Sequence, residues 1–236
     1  ELDPLPASLL THSLDTLLPH LTAVINHSLS SGSFPHVFKS AIVRPLIKKP
    51  TLDPNNLKNY RPVSNLSFLS KITEKVILAQ LLQHLHSNNL VYLLQSAYRS
   101  GHSTETALLK ISNDLLTALD DNHVSLLSLL DLSAAFETID HSILLNRLNF
   151  TFGISDTALS WFDSYLSHRN NVVSANGLSS SPTPMEFGVP QGSVLGPILF
   201  VLYTQPLSAI VHHHSLSHHC FSDDNQLYSS GPLSSL

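Results

Sequence analysis

The 236-residue chain reads as an α+β protein. Three observations predict that class. Apolar residues recur at three- and four-residue spacing over several long stretches, the pattern of helices with one buried face. Short apolar runs bounded by polar or Gly- and Pro-containing segments mark strands. One of those runs ends in a tight turn carrying two adjacent carboxylates, Asp223 and Asp224, and a third carboxylate, Asp131, closes another run 92 positions earlier (223−131).

Helical periodicity covers 6–30, with an interruption expected near Pro19, and a loop follows over 30–33. Residues 41–47 form a strand, and 48–59 a polar turn region whose lysines are free to face a ligand. A helix spans 68–85, with Ser70 or Thr73 as its cap, and a second spans 103–119. The apolar run 124–130 is expected to be a buried strand leading into Asp131. Short helices follow at 142–148 and 156–166, then a strand pair at 172–175 and 184–187 with turn chemistry at Asn176-Gly177. A helix over 197–210 precedes a strand, carboxylate turn and strand over 220–228. No internal repeat, heptad array or long linker interrupts this order.

Hydrophobic residues make up 42% of the chain and charged residues 12%, enough apolar material for one sizeable core, or a domain with a sub-domain. The single cysteine, Cys220, excludes an internal disulfide, and no apolar run reaches the roughly 18 to 20 residues needed to span a bilayer. The N-terminus lacks the features of a secretory signal, so an intracellular protein without a membrane partner is expected. A formal charge of −5 is unusual for a nucleic-acid binder, but it hides an asymmetry. Ten of the twelve Lys and Arg residues fall within 39–110, against only Asp53, Glu74 and Glu105. A basic module therefore precedes an acidic one.

Leu129-Leu130-Asp131-Leu132-Ser133-Ala134-Ala135-Phe136 places a carboxylate where an apolar strand emerges, followed by small residues that let a substrate approach the backbone. Alone, a strand-end Asp is more often a cap, and a paired Asp more often a turn. Together, Asp131, Asp223 and Asp224 form a three-carboxylate constellation suited to divalent cations. Residues 188–197 hold three glycines and two prolines, a density that calls for a closely approached loop before a helix, with Gln191 and Ser193 beside bare backbone at Gly192. Asn59-Tyr60-Arg61-Pro62-Val63-Ser64, near Lys48 and Lys49, offers cations able to clamp phosphate oxygens. His212, His213, His214, His218, His219 and Cys220 raise the question of zinc, but density without preorganised geometry is a weak case, and a solvated loop is the plainer reading.

In this order, Lys48-Lys49-Pro50, the 59–64 string, Gln95-Ser96-Ala97-Tyr98-Arg99 with Gly101-His102-Ser103-Thr104, the 131–136 string, the 188–197 loop and Phe221-Ser222-Asp223-Asp224 resemble the reverse transcriptase of non-LTR (LINE-type) retrotransposons. The resemblance covers about 34–228. It implies a right-hand polymerase with fingers and an antiparallel palm sheet backed by helices. It also implies an RNA-directed DNA polymerase that adds deoxynucleoside triphosphates to a DNA primer on an RNA template, with Mg²⁺, or Mn²⁺, held by Asp131, Asp223 and Asp224 for attack of the primer 3′-hydroxyl. Arg61 and Lys48 would meet the incoming triphosphate, Gln191 and Gly192 would lie beside the nucleotide or template, and Phe136 would crowd the sugar 2′ position. Lys49 and Arg99 would contact nucleic acid. A nuclear location is implied by the family only.

The chain departs from the family pattern at Glu137 where Asp is usual, at Ser222 where Ala is usual, and at Asn225 where Thr is usual. None of these removes a carboxylate. The expected organisation is a helical extension over 1–33, fingers over 34–122 and palm over 123–236, with no thumb because only 12 residues (236−224) follow Asp224. Two other readings compete: an inactive retroelement remnant that binds nucleic acid or a protein, and a two-metal nuclease, for which the 188–197 loop and the basic module would be unneeded.

Overall fold

A computed structural model describes residues 2–3, 7–132 and 135–233. In chain order its elements are α1 (Ala7–His12), α2 (Leu14–Ser31), β1 (Ser40–Ile47), β2 (Tyr60–Asn65), α3 (Phe68–Ser87), α4 (Thr104–Asp120), β3 (Val124–Asp131), α5 (His141–Phe150), α6 (Asp156–Leu166), β4 (Arg169–Ala175), β5 (Leu178–Ser179), β6 (Thr183–Met185), α7 (Gly196–Thr204), α8 (Pro206–His213), β7 (Ser217–Phe221) and β8 (Asp224–Gly231). Two compact units form, one from Glu1–His84 with Phe136–Gly196 and the other from Leu85–Ala135 with Pro197–Leu236. Ser133 and Ala134, expected to open the approach beside Asp131, lie outside the described residues, as does Pro6 at the start of the first expected helix.

The first unit is built on a sheet of order β2-β1-β4-β5, with β6 also pairing β4. β1 and β2 form an antiparallel ribbon from Ile42↔Asn65 to Ile47↔Tyr60, and β1 runs parallel to β4. Helices α2 and α6 pack together and bury Phe34, Trp161 and Tyr165, with the Trp161 and Tyr165 rings stacked at 5.5 Å. Arg169 is also buried, 1% exposed, with its guanidinium 4.8 Å from the Tyr165 ring centroid, so the aromatic faces partly replace its water. The expected helix break near Pro19 occurs instead at Ser13, and Pro19 lies within α2 at the cost of a ladder hydrogen bond. α2 runs on through 30–31 and ends at Gly32 in the left-handed conformation, whose N–H reaches the Leu29 and Ser28 carbonyls. α3 is capped not by Ser70 or Thr73 but by Ser67, whose Oγ accepts the Ser70 N–H at 3.2 Å, and by the Asp3 carboxylate, which accepts the Phe68 N–H at 3.0 Å.

The second unit carries an antiparallel sheet of order β3-β8-β7. α4 begins with a capping box between Ser103 and Thr106, and its Asp114 carboxylate accepts the Tyr228 O–H of β8 at 2.6 Å, fixing helix to sheet. Within α7, Ile198, Leu199, Phe200, Val201 and Leu202 are all buried, so the helix is apolar on every face. The helix expected over 197–210 is two: it breaks at Gln205, before Pro206, which cannot continue the ladder but suits the first turn of α8. The expected buried strand at 124–130 forms as β3 but is largely exposed, with Leu126, Leu127, Leu129 and Leu130 open to solvent. It is an edge strand paired on one side only, to β8. The histidine-rich stretch is not a solvated loop. His212 and His213 belong to α8, while His218, His219 and Cys220 are buried in β7.

Candidate active site

The carboxylates converge because two strands deliver them. β3 and β8 pair over their whole length, and their last register partners are Asp131 and Asp224. Asp223 sits between, in the two-residue Ser222-Asp223 turn that joins β7 to β8, and its carbonyl oxygen accepts the Leu132 N–H at 3.1 Å. Ser222 has φ 60° and Asp223 does not share the positive sign, the signature of a primed hairpin turn whose first central position favours glycine. A serine there costs about 1–2 kcal/mol of backbone strain.

What holds that turn is the 92–98 segment. The Cys220 N–H donates to the Leu94 carbonyl at 2.9 Å, the Ser96 N–H donates to the Cys220 carbonyl at 3.0 Å, and Gln95 and Cys220 form a parallel bridge. The buried Gln95 Oε1 accepts the Ala97 N–H at 2.9 Å and the Ser222 N–H at 3.4 Å, and the Tyr98 hydroxyl lies 3.2 Å from Ser222 Oγ. From within the hairpin, Asn225 Nδ2 donates to the Asp223 carbonyl at 3.1 Å. Sequence reasoning singled out the 95–99 string only by resemblance and assigned it Arg99 as a nucleic-acid contact. Arg99 donates from Nη1 to the Leu93 carbonyl at 2.8 Å and so braces its own loop.

Electrostatics agree with convergence. Asp224 is raised above its ordinary value by partial burial, then by the charges of Asp223 and Asp131. Oxygen-only, anionic donors of this kind suit a hard divalent cation. Among the described residues no three His, Cys, Asp or Glu side chains already form a cage, so the fit to a metal rests on the strand register and the shared negative charge. The neighbouring thiol is unsuited to chemistry: burial pushes Cys220 up to about 12, and its sulfur lies 2.9 Å from His218 Nε2.

The remaining predicted residues belong to the other unit. Arg61 stands on β2, opposite Leu46, and is exposed. Lys48 and Lys49 follow β1, exposed, at the start of a loop closed by its own residues: Lys48 N–H donates to Asn59, and the Asn59 amide to the Asp53 carbonyl. Phe136 contributes its carbonyl oxygen to the Val189 N–H at 2.8 Å. Gln191 and Gly192 occupy the loop before α7, where the Gln191 carbonyl accepts the Ser64 N–H at 2.8 Å. Gly192 has φ 120°, and a Cβ there would stand 2.6 Å from the Ser64 carbonyl oxygen; at Gly188 one would meet the Phe136 carbonyl oxygen at 2.6 Å. Both glycines thus admit a close approach of the chain's own backbone. Sequence reasoning missed Glu74, a fully buried carboxylate on α3 that accepts hydrogen bonds from this loop, because nothing in an amphipathic pattern separates it from a solvated acid.

Residues 47–235 match the family described as reverse transcriptase (RNA-dependent DNA polymerase). The RNA-directed DNA polymerase from mobile element jockey of Drosophila melanogaster is 33% identical over 82% of this chain and 21% of its own length, and the probable RNA-directed DNA polymerase from transposon BS of the same organism is 31% identical over 80% and 20%. The chain thus spans about a fifth of the length of these relatives. Among solved structures, apo telomerase from Candida tropicalis superposes with a TM-score of 0.58 at 12% identity, over 91% of this chain and 44% of that one, a likeness of fold: the α+β right-hand polymerase with fingers and palm. A match over most of its length, with relatives from non-LTR mobile elements, means that the chain belongs to the reverse transcriptase family, in its LINE-type branch.

Proposed function

We propose that this chain supplies the catalytic carboxylates and nucleotide-side loop of an RNA-directed DNA polymerase that extends a DNA primer on an RNA template with deoxynucleoside triphosphates. The observation that carries the reading is the register of β3 and β8, which sets Asp131 opposite Asp224 with Asp223 in the adjoining turn. Those three side chains would hold Mg²⁺, or Mn²⁺; when bound, such ions activate the primer hydroxyl and offset charge on the leaving pyrophosphate. Arg61 and Lys48 offer a planar fork and a point charge to triphosphate oxygens, and Lys49 and Arg99 positive charge to the nucleic-acid backbone. Gln191 and Gly192 present an amide and bare backbone to the nucleotide, and Phe136 narrows the space at the sugar 2′ carbon. Base pairing with the template selects the nucleotide.

The test is Mg²⁺-dependent extension of a DNA primer on an RNA template at low salt, with Asp223→Asn as the comparison. Incorporation by the native chain should fall by about a hundredfold or more in the variant, a loss of roughly 2.7 kcal/mol of transition-state stabilisation. Equal incorporation by both chains, or metal-dependent cleavage of nucleic acid without incorporation, would refute the reading.

A further inference from the structure

Glu74 lies in the middle of α3, fully buried, and forms no ion pair among the described residues. Its Oε2 accepts the Val194 N–H at 2.7 Å, the Leu195 N–H at 3.1 Å and the Tyr165 O–H at 3.2 Å, and its Oε1 accepts the Ser70 O–H at 3.1 Å. The two backbone donors are those that precede α7 and would otherwise be orphaned in the interior. The side chain is fixed from behind: Tyr165 stacks on Trp161, and the indole N–H donates to Ser28 Oγ at 2.9 Å.

The turn bearing Gln191 and Gly192 is therefore clamped at both ends. Upstream, the Ser64 N–H of β2 holds the Gln191 carbonyl, and downstream Glu74 holds Val194 and Leu195. Between the clamps, the Ser193 N–H donates to the Pro190 carbonyl at 2.9 Å, and Ser193 Oγ accepts the Gly196 N–H at 3.0 Å. We infer that Glu74 is a positioning residue for nucleotide binding: its buried carboxylate sets the height and direction of the 191–193 turn without touching the ligand. This rests on the assignment of Gln191 and Gly192 to the nucleotide.

Geometry, rather than charge, is what the turn requires. Glutamine keeps the reach, its carbonyl oxygen accepts both amides, and its NH₂ donates to Ser70. Aspartate keeps the charge but, one methylene shorter, leaves two buried N–H groups unmet. Primer extension with varied nucleotide concentration should therefore give Glu74→Gln a KM within about threefold of the native chain. Glu74→Asp should show a rise of about tenfold with kcat changed far less. A purely structural role would lower the unfolding temperature and the active fraction without moving KM, and that result overturns the proposal; so does a KM defect equal in both variants. If Glu74→Asp does not fold, Tyr165→Phe, which removes a hydroxyl bonded to both the Glu74 carboxylate and the Ser193 side chain of the same turn, takes its place, with a rise of about twofold to threefold expected and an unchanged KM counting against the proposal. Should the native chain incorporate nothing, the polymerase assignment fails by itself, and hydrogen exchange at 191–195 decides. Exchange about tenfold faster in Glu74→Asp and native in Glu74→Gln supports the clamp; identical exchange in all three chains refutes it.

Discussion

At the scale of the residue, crowded like charge is the most consequential feature. Asp224 is raised by burial and by Asp223 and Asp131, so its ionised form is disfavoured in the folded chain. A carboxyl raised on folding contributes stability that is present below its unfolded value and lost as pH rises through its folded value; near neutrality the full cost applies. Removing the charge with Asp224→Asn should therefore raise the unfolding temperature in chelator at pH 7, by about 1–3 °C given the site's exposure to solvent, and the gain should vanish in acid, where the native carboxyl is neutral. Mg²⁺ should stabilise the native chain and not the variant. Thermal unfolding with and without Mg²⁺ at two pH values checks this, and a variant less stable than the native chain at pH 7 would mean that the carboxylates do not repel. The carboxylates themselves were legible in sequence because acidic residues at strand ends are chemically conspicuous. Gln95, Tyr98 and Glu74 were not, because their role depends on partners more than a hundred positions away, among them Ser222 and Val194.

At the scale of the element, periodicity located most helices and strands, and failures trace to local chemistry or to missing neighbours. Pro206 splits an otherwise continuous apolar pattern, while β2 escaped notice because Tyr60-Arg61-Pro62 is polar on its exposed positions and gains its strand from pairing with β1. The apolar run of β3 predicts a strand correctly and its burial incorrectly, since an apolar pattern reports what a segment can bury, not what covers it. Leu129, 71% exposed on an edge strand, belongs to an exposed apolar run of the kind that pairs with other chains. Leu129→Lys should lower self-association relative to the native chain at equal concentration, and should shift the unfolding temperature by no more than about 2 °C, as for a surface substitution of under 0.5 kcal/mol. Light scattering beside thermal unfolding tests it; a large loss of stability would show that the leucine is covered in solution.

At the scale of the whole molecule, charge is partitioned rather than balanced. The β1–β2 ribbon and its loop carry Arg44, Lys48, Lys49, Lys58 and Arg61 against Asp53, whose carboxylate accepts hydrogen bonds from Asn55 within the same loop. Among the described residues the ion pair of the chain is Lys110 with Asp114, in the other unit, so the ribbon's cations are not neutralised by protein carboxylates. Such a surface releases counterions when it meets a polyanion, which makes affinity fall steeply with salt. The chain's formal charge of −5 obscures this, and only the distribution along the sequence exposes it. For a single-stranded RNA, each phosphate contact contributes about 0.7 to the slope of log affinity against log salt. Replacing Lys48 and Lys49 together by Glu should therefore reduce that slope by about 1.4 and weaken binding to unrelated RNA sequences alike, because a lysine reads phosphate and not base. Filter binding or anisotropy over a salt series measures both quantities. A double variant with an unchanged slope would remove the ribbon from the nucleic-acid surface while leaving the carboxylate hairpin, which lies in the other unit, free to be judged on primer extension.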